Sequence, residues 1–152
     1  MIKTTSIAII AGATWLAAAC GCGKPPEAPG GNTDQVAQGA PLYVVHCAKC
    51  HGPAGEGIGK APAVVGENAL PLDPPPGAQH RTGQFRTARD VLDFIRANMP
   101  ADKPGSLSET QYADILAFDL KLNGIDLHHE RVNEENAANF VLHPESFSSQ
   151  TH

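Results

Sequence analysis

The chain has 152 residues, 11 of them basic and 16 acidic, for a formal charge of −5, and this length suits one small domain with tails. An acidic chain argues against a nucleic-acid partner, because neutralising phosphates requires clustered Lys and Arg. Aromatic residues are only 5 % of the sequence, and Gly (15) and Pro (13) are abundant. The composition therefore predicts a thin protein core and long loops.

Residues 1–19 are predicted to be a signal peptide. Lys3 supplies a positive charge, and the uncharged apolar run from Ile7 to Ala19 is too short for an ordinary transmembrane span. The segment from Leu16 to Cys20 looks like a bacterial lipobox, in which cleavage precedes the cysteine and the thiol carries diacylglycerol. Cys20 is therefore a candidate lipid anchor, and the alternative is a secretory signal cleaved after Ala19. Both readings predict export, to the periplasmic face of a bacterial membrane or to the soluble periplasm.

Residues 20–38 are predicted to contain the anchor site and a flexible linker, because the stretch from Gly21 to Thr33 is rich in Pro and Gly. Cys22 has no assigned role in this linker. A disulfide to Cys20 would close a strained loop, and acylation or a free thiol are the alternatives. A helix is predicted over residues 34–49, with Leu42, Tyr43 and Val45 facing inward and Pro41 tolerated in a first turn.

The predicted helix leads into Cys47-Ala48-Lys49-Cys50-His51, which has the C-x-x-C-H spacing of a c-type haem attachment site. Two thiols at this spacing bond to the two vinyl groups of one porphyrin. The adjacent His51 can then ligate the iron through an imidazole nitrogen. The motif predicts one covalently bound haem c, which also supplies the apolar bulk that the composition lacks.

A loop over residues 52–78 precedes a helix predicted over residues 87–98, which opens with Thr87 and Asp90 in a capping box. Its apolar face is formed by Val91, Leu92, Phe94 and Ile95. The helix ends at Met99-Pro100, because the residue before Pro avoids helical angles. Met99 is the only methionine besides Met1, which makes it the candidate second iron ligand. A His ligand and an open iron site are the alternatives.

A further helix is predicted over residues 108–122, capped by Ser108 with Gln111 and ended by Asn123-Gly124. Its buried stripe is predicted to contain Tyr112, Ile115, Leu116, Phe118 and Leu120. No strand pattern is visible, so the fold class is all-α. The polar extension over residues 125–152 has one apolar cluster, Phe140-Val141-Leu142. We expect the extension to cover a surface without forming a core, and to include a short helix over residues 133–139.

These elements resemble class I cytochromes c from Gly39 to Gly124, which implies three to five helices wrapped around one haem in a cytochrome domain over residues 39–124. In that family a small residue and an aromatic, here Gly39 and Tyr43, cross the last helix closely. A proline carbonyl, here that of Pro62, accepts a hydrogen bond from the proximal His51. A Met-Pro pair after a helix, here Met99-Pro100, supplies the distal ligand.

A narrower resemblance runs from Asp90 to Pro100 and continues through Pro104-Gly105-Ser106-Leu107-Ser108. This combination is similar to small cytochromes c that serve periplasmic dehydrogenases, in particular the haem subunits of sulfite and related sulfur-oxidising dehydrogenases. Those relatives often continue with an apolar-Met-Pro-Asn segment after the last helix. This chain has Val141-Leu142-His143-Pro144 there instead.

The features together predict a one-electron carrier with His51/Met99 ligation and no catalytic residue. A dehydrogenase or quinol-oxidising complex is the expected donor, and an oxidase or soluble cytochrome the expected acceptor. The alternative is a dedicated haem subunit of a periplasmic dehydrogenase, for example of the sulfite dehydrogenase type. A thiol oxidoreductase using Cys47 and Cys50 would need a βαβ pattern that the sequence lacks. A gas-sensing haem would require that Met99 does not ligate the iron.

Overall fold

The computed structural model describes residues 31–148, which form helices, turns and loops without a named strand. The elements are, in order, α1 (Asn32–His46), α2 (Ala48–His51), α3 (Ala88–Asn98), α4 (Glu109–Leu122), a 3₁₀ turn (Ala137–Asn139) and α5 (Glu145–Ser148). A single antiparallel bridge between Thr87 and Val141 is the one β pairing in this part of the chain. The predicted all-α class is confirmed, while the predicted signal peptide, Cys20 and Cys22 lie outside the described residues.

The helix predicted over residues 34–49 is two helices that meet at Cys47. The inner face of α1 carries Gln35, Gly39 and Tyr43, which recur every four residues and are all buried. The expectation that Val45 faces inward is wrong, because Val45 is 71 % exposed. It lies about 200° around the helix from Tyr43 at 3.6 residues per turn. Pro41 lies inside α1 rather than in its first turn. Proline has no backbone N–H, and the exposed position of Pro41 lets water bond the helix carbonyl oxygen that is left without a donor.

Helices α3 and α4 begin and end where their capping residues predict. Thr87 and Ser108 are the N-caps of α3 and α4, and both capping boxes are present. After α4, Gly124 has φ +77° and its N–H donates to the Lys121 carbonyl oxygen, because glycine tolerates the left-handed conformation that ends a helix. No helix among residues 31–148 combines the length and apolar character needed to cross a membrane.

The main packing contact joins α1 to α4. A Cβ atom on Gly39 would lie 2.0 Å from the carbonyl oxygen of Asp114 and 2.9 Å from the Cβ of Phe118. The rings of Tyr43 and Phe118 lie next to each other, with centroids 5.5 Å apart. The close crossing that the family resemblance implies at Gly39 and Tyr43 is therefore present. Only glycine allows the two backbones to approach this closely.

The C-terminal extension contributes directly to the core, so the expectation that it covers a surface without forming a core is wrong. Leu127, Val132, Ala137 and Phe140 are all at most 3 % exposed and pack with α3 and α4 in one cluster. The reason is that these apolar residues are far apart in the sequence, so no local pattern marks them. The short helix expected over residues 133–139 is a turn followed by the 3₁₀ turn. The boundary of the cytochrome domain at residues 39 and 124 stays a prediction.

Hydrogen bonds from side chains and from the backbone attach the extension to the rest of the chain. The Gln35 side chain donates to the carbonyl oxygen of Val132 at 2.8 Å and accepts from its N–H at 2.7 Å. The N–H of Ala88, at the start of α3, donates to the carbonyl oxygen of Phe140 at 2.9 Å. The His143 ring also bonds the Leu70 carbonyl oxygen at 2.9 Å. The extension thus joins α1, α3 and the long loop.

Candidate haem site

The C-x-x-C-H motif forms the short helix α2 at the end of α1. The N–H groups of Cys50 and His51 both donate to the Cys47 carbonyl oxygen, at 3.0 and 2.9 Å. Cys47 is half-buried and Cys50 is exposed, and neither forms a disulfide. Burial, with smaller contributions from Asp119 and Cys50, raises the pKa of the Cys47 thiol to about 12. A thiol oxidoreductase uses a thiolate of lowered pKa, so this environment does not favour such an activity.

The imidazole of His51 is oriented by a hydrogen bond to the following loop. Its Nδ1 lies 2.8 Å from the carbonyl oxygen of Pro62. A carbonyl oxygen can only accept, so Nδ1 must donate, and the lone pair of the neutral ring is on Nε2. The bond that the resemblance implied is present, and it leaves Nε2 as the nitrogen suited to bind a metal. That this bond tunes a haem iron stays a prediction.

The loop after His51 is folded back against the motif. The N–H of Gly57 donates to the His51 carbonyl oxygen at 2.7 Å, and both Val64 and Val65 donate to the Gly55 carbonyl oxygen. Gly52 has φ +86°, and a Cβ there would lie 2.2 Å from a carboxylate oxygen of Glu56. Glycine is therefore required at the turn that lets the loop return to His51.

Met99 terminates α3 and is half-buried. Its N–H donates to the carbonyl oxygen of Ile95 at 2.9 Å, while its own backbone is extended, with φ −122° and ψ 152°. The following Pro100 accounts for this conformation, since a residue before proline avoids helical angles. The Met99 carbonyl oxygen accepts a hydrogen bond of 2.7 Å from the Tyr112 hydroxyl.

Helix α4 contacts both segments through one face. Tyr112, Asp119 and Asn123 recur at intervals of seven and four residues, which places them on the same side of a helix. Tyr112 holds Met99. Asn123 donates to the Val64 carbonyl oxygen at 2.8 Å and accepts from Gly66 N–H at 3.0 Å. The face that holds Met99 therefore also holds the loop that contains Pro62.

Asp119 lies between these two anchors. Its Oδ1 atom is buried and has no hydrogen-bond partner, and burial raises the pKa of this carboxyl to about 8. Its charge in turn raises the pKa of the nearby Tyr43 and Cys47 side chains, as a smaller contribution than their own burial. A protonated carboxyl on this face is the form that burial favours.

The donor set fits a c-type haem. Two unpaired thiols stand three residues apart, and the next residue presents an imidazole whose Nε2 is available. Among residues 31–148 no group of three or more His, Cys, Asp or Glu side chains is arranged to hold a metal ion. The thiols and imidazole that would hold the haem thus stand in α2 and at its N-cap, and the candidate thioether of Met99 stands at the end of α3.

The family model described as cytochrome c oxidase, cbb3-type, subunit III, matches residues 34–118, more than half of the chain. The chain belongs to this cytochrome c family. It is therefore an electron-transfer protein that works through a covalently bound c-type haem.

Solved structures also resemble this cytochrome. The sulfane dehydrogenase SoxCD from Paracoccus pantotrophus matches with a TM-score of 0.55 and 26 % identity, over 77 % of this chain and 60 % of that chain. The thiosulfate dehydrogenase TsdBA from Marichromatium purpuratum matches with a TM-score of 0.42 and 26 % identity, over 72 % of this chain and 22 % of that chain. The cytochrome thus spans less than two thirds of each of these chains. No curated protein sequence matches it.

Several contacts in the site and in the fold around it have no counterpart in the sequence predictions. Asp119 and Asn123 follow Tyr112 at helical spacing, and polar groups that recur on the same side of a helix as a buried tyrosine are the signal that could have revealed them. Gln35 stands in a polar stretch, so nothing local marks it as buried. The hydroxyl contacts of Tyr43 and Tyr112 depend on the tertiary arrangement and have no sequence signal.

Proposed function

We propose that this cytochrome carries one haem, bonded to Cys47 and Cys50 and ligated by His51 and Met99, and that it transfers single electrons without being an enzyme. The observation that carries this proposal is the bond between His51 Nδ1 and the Pro62 carbonyl oxygen, which leaves Nε2 for the iron. Met99 is the only methionine in the described residues. Axial Met together with His raises the haem potential relative to two His ligands.

The proposed ligand set also explains why catalysis is not expected. When side chains occupy both axial positions, no iron position remains for a substrate. Cys47 and Cys50 are used for attachment, and His51 is committed to Pro62 and the iron. The residues of the site therefore hold and orient the redox group, and none of them is assigned a proton-transfer or nucleophilic role.

The donor that we propose is a dehydrogenase acting on a reduced sulfur compound. The support is the likeness to the sulfane dehydrogenase SoxCD, at 26 % identity over 77 % of this chain. The cytochrome would serve such an enzyme as a bound subunit or as a separate carrier, delivering electrons to an oxidase or a soluble cytochrome. A quinol-oxidising complex is the alternative donor. Purification from the native source separates the two arrangements, since a subunit is recovered with its enzyme and a carrier alone.

The ligand assignment is tested on Met99. The oxidised protein should show the weak near-infrared charge-transfer band of Met–iron ligation near neutral pH. The substitution Met99→Ala should abolish this band and let carbon monoxide bind the reduced iron. As a control, Met99→His keeps a second protein ligand, so it should lack the band without binding carbon monoxide readily. Absence of the band from the unsubstituted protein would rule out Met99 as the ligand.

We further propose that Cys20 carries the lipid that anchors this cytochrome at the periplasmic membrane face. Each buried methylene of an acyl chain contributes about 0.8 kcal/mol, and stable anchoring takes more than one chain. The substitution Cys20→Ser should move the protein from the membrane fraction to the soluble periplasm. Cys22→Ser is the matched control and should stay with the membrane. An unsubstituted protein that is soluble, with an N-terminus other than Cys20, would exclude the anchor.

A further inference from the structure

The chain has two tyrosines, and their buried hydroxyl groups make comparable bonds on the two sides of the site. Tyr43 is 1 % exposed and donates to the carbonyl oxygen of Gly52 at 2.8 Å. Tyr112 is 3 % exposed and donates to the carbonyl oxygen of Met99 at 2.7 Å. Gly52 directly follows the proposed proximal ligand His51, and Met99 is the proposed distal ligand. Each ligand segment is thus tied to a tyrosine of another helix.

We propose that Tyr112 is the positioning residue for the distal ligand: its hydroxyl fixes the Met99 peptide against α4 and thereby holds the thioether at the iron. This inference rests on the proposed His51/Met99 ligation. Tyr112 does not touch the iron in this account, and it acts only through the backbone of Met99.

The backbone of Met99 has few other restraints. Its N–H is bonded to the Ile95 carbonyl oxygen, which ties it to α3. Its carbonyl oxygen lies past the helix end, and Pro100 has no N–H with which to continue the helix. This carbonyl oxygen accepts its hydrogen bond from the Tyr112 hydroxyl. With both its N–H and its carbonyl oxygen bonded, the Met99 backbone is held between α3 and α4, and this sets the point from which its side chain starts.

The His51 side has more restraints, so its tyrosine bond matters less for ligation. The His51 N–H is bonded to Cys47, its carbonyl oxygen to Gly57 and its ring to Pro62. The Gly52 carbonyl oxygen that accepts from Tyr43 also accepts from Gly55 N–H at 3.1 Å. Tyr43→Phe is therefore a matched control: it removes a buried hydroxyl of the same kind from a ligand segment that has other bonds.

The test compares Tyr112→Phe, Tyr43→Phe and the unsubstituted holoprotein. The first measurement is the near-infrared Met–iron band followed as the pH is raised, and the second is the rate at which carbon monoxide binds the reduced protein. We expect Tyr112→Phe to exchange its methionine about tenfold more readily, the factor that one hydrogen bond typically supplies. The band should then disappear about one pH unit earlier, and carbon monoxide should bind about tenfold faster. Tyr43→Phe should match the unsubstituted protein in both measurements.

A purely structural role for Tyr112 would lower the melting temperature of both variants alike and leave the band and the binding rate unmoved. Para-aminophenylalanine at position 112 keeps the ring and a donor, so it should restore the unsubstituted behaviour. It also serves as the second variant if Tyr112→Phe fails to retain haem. A protein with the normal band in which Tyr112→Phe behaves like Tyr43→Phe would overturn this inference alone. A missing band in the unsubstituted protein would overturn the proposed ligation and this inference with it.

Discussion

The haem-attachment segment and the C-terminal extension are fixed in opposite ways. Residues 47–66 are held largely by hydrogen bonds between near neighbours, such as His51 with Pro62 and Gly57 with His51. The extension after Gly124 is held by buried apolar side chains and by bonds to residues far away in the sequence, 97 positions in the case of Gln35 and Val132. A motif with local partners can be recognised in a sequence, whereas a segment with distant partners cannot.

The strongest test of this difference removes the extension by ending the chain after Gly124. Four buried residues then leave the core, and each large one typically contributes about 2–5 kcal/mol. A domain is stable by only about 5–15 kcal/mol, so we expect little folded, haem-loaded protein. This can be measured by haem staining and by thermal unfolding. A chain that ends at Pro144 keeps all four residues and is the control. Normal haem spectra after the longer deletion would show that the extension is not needed for the core or for haem binding.

A single substitution sharpens the same comparison. Phe140 is 3 % exposed within the core, while Phe147 is 47 % exposed in α5. Phe140→Ala should lower the free energy of unfolding by about 3–5 kcal/mol, and Phe147→Ala should change it little. Denaturant unfolding followed by circular dichroism measures both. Equal effects of the two substitutions would mean that the extension is not part of the core.

A smaller effect is expected where α1 crosses α4. In Gly39→Ala the new methyl group would overlap the carbonyl oxygen of Asp114, so the helices must separate. Overpacking of this kind costs about 1–3 kcal/mol. Gly83→Ala is the matched control, because a Cβ there has no neighbour within 4 Å and φ is not in the left-handed region. If Gly39→Ala and Gly83→Ala have the same melting temperature, α1 and α4 do not cross as closely at Gly39 as described.

The last prediction concerns the pH dependence that arises from the site itself. The pKa of Asp119 is raised from its ordinary value of 3.8 to about 8, so the folded state holds its proton more tightly than the unfolded state. Its stabilising contribution is complete below the unfolded pKa and is lost as the pH rises towards 8, by at most about 1.4 kcal/mol per pH unit. The melting temperature of the unsubstituted protein should therefore fall as the pH is raised from 5 to 6 and then to 7.

Asp119→Asn removes the titrating group while keeping a similar shape. Its melting temperature should depend less on pH over the same range. The exposed Asp102→Asn is the control and should retain the full dependence. An Asp119→Asn protein with an unchanged pH dependence would show that another group is responsible.

The sequence predictions were accurate where a feature depends on residues close together in the chain, and less accurate where it depends on distant partners. Both capping boxes and the helix ends at Met99 and Asn123 were predictable, since capping depends on residues within one turn. On the inner face of α1 Tyr43 was predicted correctly, but Val45 was assigned there in place of Gln35, because an apolar valine is the better core candidate when the partners are unknown. Gln35 is buried instead, and Val132 satisfies its amide.

The sequence by itself determined the chemistry: the C-x-x-C-H motif, a single methionine besides Met1, placed before a proline, and an all-α pattern of capped helices. Each of these depends on residue types at short, fixed spacings. Only the tertiary structure decided which side of α4 serves the site, that the two tyrosines bond to opposite ligand segments, and that the polar extension completes the core. Those features depend on contacts between different elements, from 9 positions apart for Tyr43 and Gly52 to 97 for Gln35 and Val132. Such contacts form only when burial and hydrogen bonding are satisfied over the whole domain at once.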